Sequence, residues 1–539
     1  MDRSNLRVFI FLLLAGWGIL AGRLFQLQIV DGRNNRILAD SNRIVRIKID
    51  SPRGLIKDRR GEILADNIPV YVLTEKDNQQ VIDREEALRR QAAGEDSNLK
   101  IQIKRRYLGG EFLAHALGYL GEVTADELKN DKLDLKGYLP GSLIGRAGLE
   151  AEYEELLRGR DGSELMEVDT TGQVVRRLSK ILPTPGKTLT LALDQKLQEA
   201  AAKAMNGKKG AVVATDPRNG EVLLFYSSPS FDPNLFLAEG EKRQSLNQIL
   251  TDEENLPLLN RVINGLYPPG STFKIITAMA GLAEGKITPQ TLITDTGILT
   301  YGNFKYTNWY YTGYGRTEGD INVVRALARS NDIFFYKLGE MVGVEALNKW
   351  AEIFRINQKT GIDLPAETSG FMATPEWKQK VKGESWFLGN TYHLAIGQGD
   401  LDMTPLGVNL MTGVVANGGK ICTPRMLKLG AANTPYQADC QEIGVKKEYL
   451  EVIKKGMIGA CAPGGTAGQF FNFEPKVACK TGTAETGDGK APHAWFTVFA
   501  PIDNPEIVLT VLVEHGGEGS STAAPVAKEI LKEFFKEQE

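Results

Sequence analysis

Histidine and cysteine are scarce in this chain of 539 residues, with four of each. Cys422, Cys440, Cys461 and Cys479 lie far apart without C-x-x-C spacing, and so few histidines do little to complete a ligand set. No metal and no organic cofactor is therefore expected. An excess of one charge is also lacking. The formal net charge is -3, with Lys, Arg, Asp and Glu interspersed and neither a basic face nor an acidic tail, so nothing points to nucleic acid. Long hydrophobic runs are absent after residue 30, which excludes a protein of many membrane spans. A composition of 42% hydrophobic and 24% charged residues suits globular domains, and the length suggests roughly two to four of them.

The exception is VFIFLLLAGWGILAG, Val8 to Gly22, framed by Arg7 and Arg23 and continued by LFQLQIV to Val30. Arginine head groups can reach the interfaces, and the continuation supplies the roughly 20 residues a spanning helix needs. Trp17, Leu20 and Arg23 interrupt the candidate cleavage sites, which favours an uncleaved anchor over a signal peptide. Arg3 and Arg7 ahead of the span place the N-terminus in the cytoplasm and the rest of the chain outside.

Residues 31–190 read as an extended, mostly β pedestal. RIVRIKI alternates as a strand, YVLTEKD is a further extended run, IGRAGLEAEYEELLRG is an amphipathic helix ending at Gly159, and SELMEVDTTGQVVRRL is hairpin-like. None of these holds a reactive constellation. From about residue 191 the pattern becomes a compact α/β body. GAVVATDPRNGEVLLFYS joins two strand-like runs through Asp-Pro-Arg-Asn-Gly, HAWFTVFAP and EIVLTVLVEHG add two strands, and STAAPVAKEILKEFFKE is a closing helix. The fold class is α+β, an antiparallel sheet covered by helices. Three ranges follow: an anchor (1–30), a pedestal (31–190) and the α/β body (191–539).

Within that body, YPPGSTFK places Ser271 after a Pro-Pro-Gly turn and three residues before Lys274, where an apolar helix begins. Residues i and i+3 share a helix face, so the hydroxyl and the amine can meet in a cleft. Lysine acts as a base only when neutral, a state that burial or a second nearby cation favours. The start of a helix also leaves backbone N–H groups free for an oxyanion. A capped helix explains this tetrapeptide equally well. RSNDIFFYKLGE adds Ser330 at the start of another helix, as a relay hydroxyl or a plain N-cap. KTGTAETG adds Lys480 and Thr481, a cation and a hydroxyl for a carboxylate, and Gly482, which would let a substrate backbone approach; its alternative is an exposed turn. Cys479, beside Lys480, reads as a buried strand residue rather than half of a bridge.

The S-x-x-K, S-x-D and K-T-G motifs, in this order, resemble those of the penicillin-binding proteins. PRGLIKDRRGEILA, AHALGYLGEV, IGRAGLEAEYEELLRGRDG, AIGQGDLDMTP and HGGEGSSTAAPVAKEIL extend the resemblance over nearly the whole chain, to the class B, monofunctional branch and most nearly its penicillin-binding protein 2 group. The resemblance implies a D,D-transpeptidase of cell-wall elongation in the bacterial plasma (inner) membrane. It cross-links peptidoglycan stem peptides and is acylated by beta-lactam antibiotics. Ser271 is then the nucleophile, Lys274 its base, Ser330 the relay, and Lys480 with Thr481, Gly482 and Thr483 the carboxylate-binding and oxyanion strand. A SEDS-family glycosyltransferase is the implied partner.

Two departures stand out. Asp332 replaces the commoner Asn of the middle motif, and an ionised carboxylate accepts hydrogen bonds without donating them. The interval from Leu73 to His115 is shorter than the head subdomain usually found there, so contacts made by that head do not transfer. A D,D-carboxypeptidase would use the same motifs with water as acceptor. A serine beta-lactamase needs a separate glutamate, and the only tempting match, Glu345 to Asn348, is a residue short and carries Leu347, Trp350, Ala351 and Phe354 at core-helix spacing. A non-catalytic receptor would need no nucleophile.

Overall fold

The computed structural model describes residues 3–33, 44–75, 78–94, 99–129, 137–169, 174–238, 240 and 242–536. Helix α1, Arg3–Phe25, continues as a π-helical turn over Gln26–Val30. Leu6–Val30 has a mean hydropathy of 2.1 and is long and apolar enough to cross a membrane. Its large apolar side chains are exposed, as suits a helix surrounded by hydrocarbon.

The chain divides into two compact units, and neither is one continuous stretch. The smaller comprises Met1–Gly54, Pro69–Lys104 and Arg158–Gly186. In it, strands β1 (Ile44–Ile49), β2 (Gly162–Val168) and β3 (Val174–Ile181) form an antiparallel sheet in the order β1-β2-β3. The β2–β3 pair is the hairpin read from the sequence; its turn residues 170–173 lie outside the described residues. Tyr71–Glu75 pairs with Asn78–Ile82, so the YVLTEKD run is extended, with Lys76 and Asp77 outside the described residues.

The larger unit comprises Leu55–Ile68, Arg105–Leu157 and Lys187–Glu539. The helix expected to end at Gly159 is two short pieces, Gly148–Glu152 and Glu154–Leu157. Tyr153 interrupts them with φ -106° and ψ 26°, and its hydroxyl donates to buried Asp363 at 2.5 Å. That tertiary hydrogen bond is invisible to helical periodicity.

The body is built from α2 (Gln195–Met205), β4 (Gly210–Thr215), β5 (Val222–Ser228), α3 (Lys274–Ala283), α4 (Val323–Arg329), α5 (Asp332–Val342), α6 (Val344–Ile353), α7 (Pro405–Ala416), α8 (Lys447–Ala460), β6 (Ala478–Ala484), β7 (His493–Ala500), β8 (Ile507–Val513) and α9 (Ala523–Lys536). Its sheet is antiparallel throughout, in the order β5-β4-β8-β7-β6. The Asp-Pro-Arg-Asn-Gly turn joins β4 to β5 as the sequence indicates.

Alternation along β7 assigns its two faces. Ala494, Phe496 and Val498 pack with Leu197, Ala201, Ala527 and Ile530 of α2 and α9, while Trp495 and Phe499 join the core of Val408, Met411 and Ile275 on the other side. Helices thus cover both faces, which is why these strands are buried along almost their whole length. Helix α3 is buried from Lys274 to Leu282, a core helix whose first residue is a lysine. The sheet ends at β6, and the KTGT segment lies on that edge strand rather than in an exposed turn.

All four cysteines pair, Cys422 with Cys440 and Cys461 with Cys479. The expectation for Cys479 is corrected. It is a buried strand residue and half of a bridge at once, because Cys461 caps the C-terminus of α8 against the same face of β6.

Candidate active site

Ser271 lies in the 3-10 turn Gly270–Phe273 that feeds directly into α3. Gly270 has φ +53°, and a Cβ there would come 2.7 Å from the Thr483 carbonyl oxygen. The turn is thereby pressed against β6. Gly482 is closed in the same way: a Cβ would lie 2.9 Å from Trp495 Cβ, 3.0 Å from Thr272 Cγ2 and 3.2 Å from the Pro269 oxygen. The space expected for an approaching substrate on that side belongs to the protein itself.

Lys274 is fully buried and donates to Asp332 Oδ1 at 2.6 Å, to the Ser330 carbonyl at 2.9 Å and to Ser330 Oγ at 3.4 Å. The Phe335 ring centroid lies 5.4 Å from its ammonium. Lys480, equally buried, donates to Ser330 Oγ at 2.8 Å and to the Thr481 carbonyl at 2.9 Å. Four of the expected residues, Lys274, Ser330, Asp332 and Lys480, therefore form one hydrogen-bonded line. Ser271 Oγ has no hydrogen-bond partner among the described residues, so the expected Ser271–Lys274 contact is not made. The amine is instead drawn towards the loop between α4 and α5.

Burial lowers the Lys274 pKa, and the Asp332 carboxylate offsets part of that fall. For Lys480 burial is again the main cause and the charge of Lys274 adds to it, so its pKa lies well below the usual lysine value despite a smaller opposing pull from Asp332. The two buried amines thus lie close enough for the charge on one to disfavour the charge on the other.

Ser330 is not the N-cap of α5. It closes α4 in the left-handed region, with φ 53° and ψ 39°, and Asn331 caps α5 by accepting from the Phe334 N–H. A non-glycine residue there costs of order 1 kcal/mol, and the surroundings must hold it. Buried Asp295 does so: Oδ2 accepts from Asn331 Nδ2 at 2.8 Å and Asn308 Nδ2 at 3.0 Å, while Asn308 Oδ1 accepts from the Asp332 N–H at 3.2 Å. The second oxygen of Asp332 accepts from the Trp309 N–H at 3.2 Å. Nothing in sequence spacing marked Asp295, Asn308 or Trp309, since each reaches the site only through tertiary packing.

On β6, Thr481 Oγ1 pairs with Thr466 Oγ1 at 2.8 Å, and Thr483 Oγ1 donates to Glu518 Oε2 at 2.9 Å. Glu345 is exposed on α6, whereas Leu347, Trp350 and Ala351 of the same helix are buried. The glutamate considered for a lactamase is thus a solvent-facing residue of a core-packed helix.

The chain is similar to known proteins over nearly its whole length. Residues 210–532 match the penicillin binding protein transpeptidase domain, and residues 95–191 match the penicillin-binding protein dimerisation domain. The peptidoglycan D,D-transpeptidase MrdA of Haemophilus influenzae is 33% identical over 99% of this chain and 92% of its own length. Its Escherichia coli K12 counterpart is 34% identical over 95% and 91%. Among solved structures, PBP2 of Helicobacter pylori in complex with MreC superposes with a TM-score of 0.80 at 29% identity, covering 92% of this chain and 99% of that one. Pseudomonas aeruginosa PBP2 in complex with WCK 5153 superposes with a TM-score of 0.74 at 34% identity, covering 91% and 96%. A chain from a peptidoglycan synthase complex has a TM-score of 0.80 at 29% identity, covering 99% of each.

The chain belongs to the penicillin-binding proteins. Within them it is a membrane-anchored peptidoglycan D,D-transpeptidase of the PBP2 group.

Proposed function

We propose that Ser271 is the nucleophile of this transpeptidase, Lys274 its general base, and Ser330 the hydroxyl that passes a proton to the leaving group. Asp332 holds Lys274, Lys480 holds Ser330, and Thr481, Gly482 and Thr483 form the strand along which the donor peptide lies. The observation that carries this reading is the buried line Lys274–Ser330–Lys480 next to an unengaged Ser271 hydroxyl. Two amines whose burial disfavours their charged forms can exchange a proton through the hydroxyl between them.

In the first step Ser271 Oγ attacks the carbonyl carbon of a terminal D-Ala-D-Ala bond and its proton passes to Lys274. The N–H groups of Ser271 and Thr483 receive the oxyanion. The C–N bond then breaks, and D-alanine leaves with a proton delivered through Ser330. An amine of a second stem peptide attacks the resulting ester, loses a proton to the same line, and frees Ser271. A beta-lactam enters as the donor and stays attached, since the glutamate considered for activating water, Glu345, faces solvent.

The same reading sets the α/β body (191–539) and the pedestal (31–190) on the extracytoplasmic side of the bacterial plasma (inner) membrane, in cell-wall elongation. A SEDS-family glycosyltransferase is its partner; support comes from the structural neighbour described as coordinating polymerization and crosslinking in a peptidoglycan synthase complex. The test is to incubate the detergent-solubilised full chain with a labelled penicillin and map the label. It is expected on Ser271 and absent from a Ser271→Ala variant of unchanged melting temperature; label on another serine sinks the assignment.

A further inference from the structure

The contact between Lys480 Nζ and Ser330 Oγ, 2.8 Å long, spans two elements with no direct backbone link: the end of α4 and the edge strand β6. An edge strand is hydrogen-bonded along one side only, so β6 needs a further restraint to hold its register against α4. Helix α8 supplies one half of it. Cβ atoms built on Gly456 and Gly459 would lie 2.6 Å from Leu327 Cβ and 2.8 Å from Ala328 Cβ, so α8 and α4 meet with no room for added side chains. Leu327 and Ala328 stand just ahead of Ser330.

The other half begins where α8 ends. Cys461 is its C-cap, with 5% of its surface exposed, and it is bridged to Cys479, which is wholly buried. Because side chains alternate along a strand, Cys479 faces the core behind the sheet while its neighbour Lys480 faces Ser330. The segment that follows, Cys461 to Ala467, touches both sides of the site. Arg329 Nη1 donates to the Gly464 carbonyl at 3.0 Å, next door to Ser330, and Thr466 Oγ1 pairs with Thr481 Oγ1 at 2.8 Å, next door to Lys480. The Ala467 N–H returns to the Ala460 carbonyl at 2.9 Å and closes the loop on α8.

We infer that this strap, fastened by the Cys461–Cys479 bridge, is a positioning device that sets Lys480 against Ser330 for acylation. Without the bridge, α4 and β6 are joined through the strap by single hydrogen bonds alone. The inference rests on the proposed roles of Ser271, Ser330 and Lys480.

The test compares the full chain with its C461S/C479S variant, and with C422S/C440S as a control for loss of a bridge elsewhere. Penicillin binding and the acylation step are measured separately. Misplacement of a reacting group by about 1 Å can cost about 100-fold, so loss of the Cys461–Cys479 bridge should slow acylation about 10-fold or more while leaving penicillin affinity almost unchanged. The control should acylate normally. In a Ser330→Ala background, removing the bridge should produce no further loss, because the contact it serves is already gone. Equal acylation rates with and without the bridge, or the same fold-loss in the Ser330→Ala background, overturn the inference.

Gly459→Ala, with both bridges intact, is the second perturbation. It forces α8 away from α4 and should slow acylation without weakening binding; an unchanged rate also overturns the inference. Label mapping on the unaltered chain separates the two levels. Label on Ser271 with no effect of the bridge defeats the strap alone, whereas label elsewhere defeats the catalytic reading beneath it.

Discussion

Replacing Asp332 with asparagine keeps the shape of the group facing Lys274 and removes its charge. The carboxylate oxygen lies 2.6 Å from an ammonium whose side chain is 0% exposed. An opposite charge at such range favours the charged form of a lysine and so holds its pKa up. In the native protein this pull opposes the larger lowering by burial. In Asp332→Asn the burial effect acts alone, so the Lys274 pKa falls further, and that of Lys480 moves the same way because Asp332 also holds it up. Lys274 accepts the Ser271 proton only when neutral, so acylation rises as pH passes its pKa. The rising limb should therefore shift to lower pH. The assay is the second-order rate constant of penicillin acylation between about pH 4 and 9. The Trp309 N–H also loses its acceptor, since an amide nitrogen cannot replace Oδ2, at a stability cost of about 1 kcal/mol. A limb that stays in place or moves to higher pH refutes the assignment of Lys274 as the base held by Asp332.

Lys274→Ala should slow acylation about 100-fold or more, the scale of losing a general base, as read by labelling kinetics. Gly482→Ala places a methyl group within 2.9–3.2 Å of Trp495, Thr272 and Pro269, and should cost about 1–3 kcal/mol in denaturant unfolding. His115 is buried, with Nε2 against the Pro257 carbonyl at 2.9 Å, and burial pushes its pKa down to about 4. Its unfolded form binds a proton first, so stability falls as pH drops from about 6.5 towards 4, by about 3 kcal/mol in all. His115→Gln should flatten that part of the urea-measured stability profile. Glu345→Gln should leave the lifetime of the penicilloyl-enzyme unchanged in a chase experiment; faster or slower release would return that exposed residue to the chemistry.

Local pattern carried much of this protein. The uncharged run before Val30 became a span-length apolar helix, the alternation in RIVRIKI gave β1, the short apolar runs of HAWFTVFAP and EIVLTVLVEHG gave β7 and β8, and the spacing of Leu347, Trp350 and Ala351 gave the buried face of α6. These signals survive because periods of 2 and 3.6 residues are properties of neighbours in the chain. Motif order pointed to the chemistry for the same reason: each motif is a short segment. What tertiary structure alone decided lies between segments. Ser330 ends one helix instead of starting the next because Asp295 and Asn331 fix the junction. Lys274 turns to Asp332, and both lysines have lowered pKa values, because burial and the distance between charges are set by packing. Gly482 makes room for Thr272 and Trp495, and Cys479 finds Cys461, because a helix end and an edge strand meet behind the site. Desolvation and through-space contact depend on which distant segments the fold brings together, and no local period encodes that.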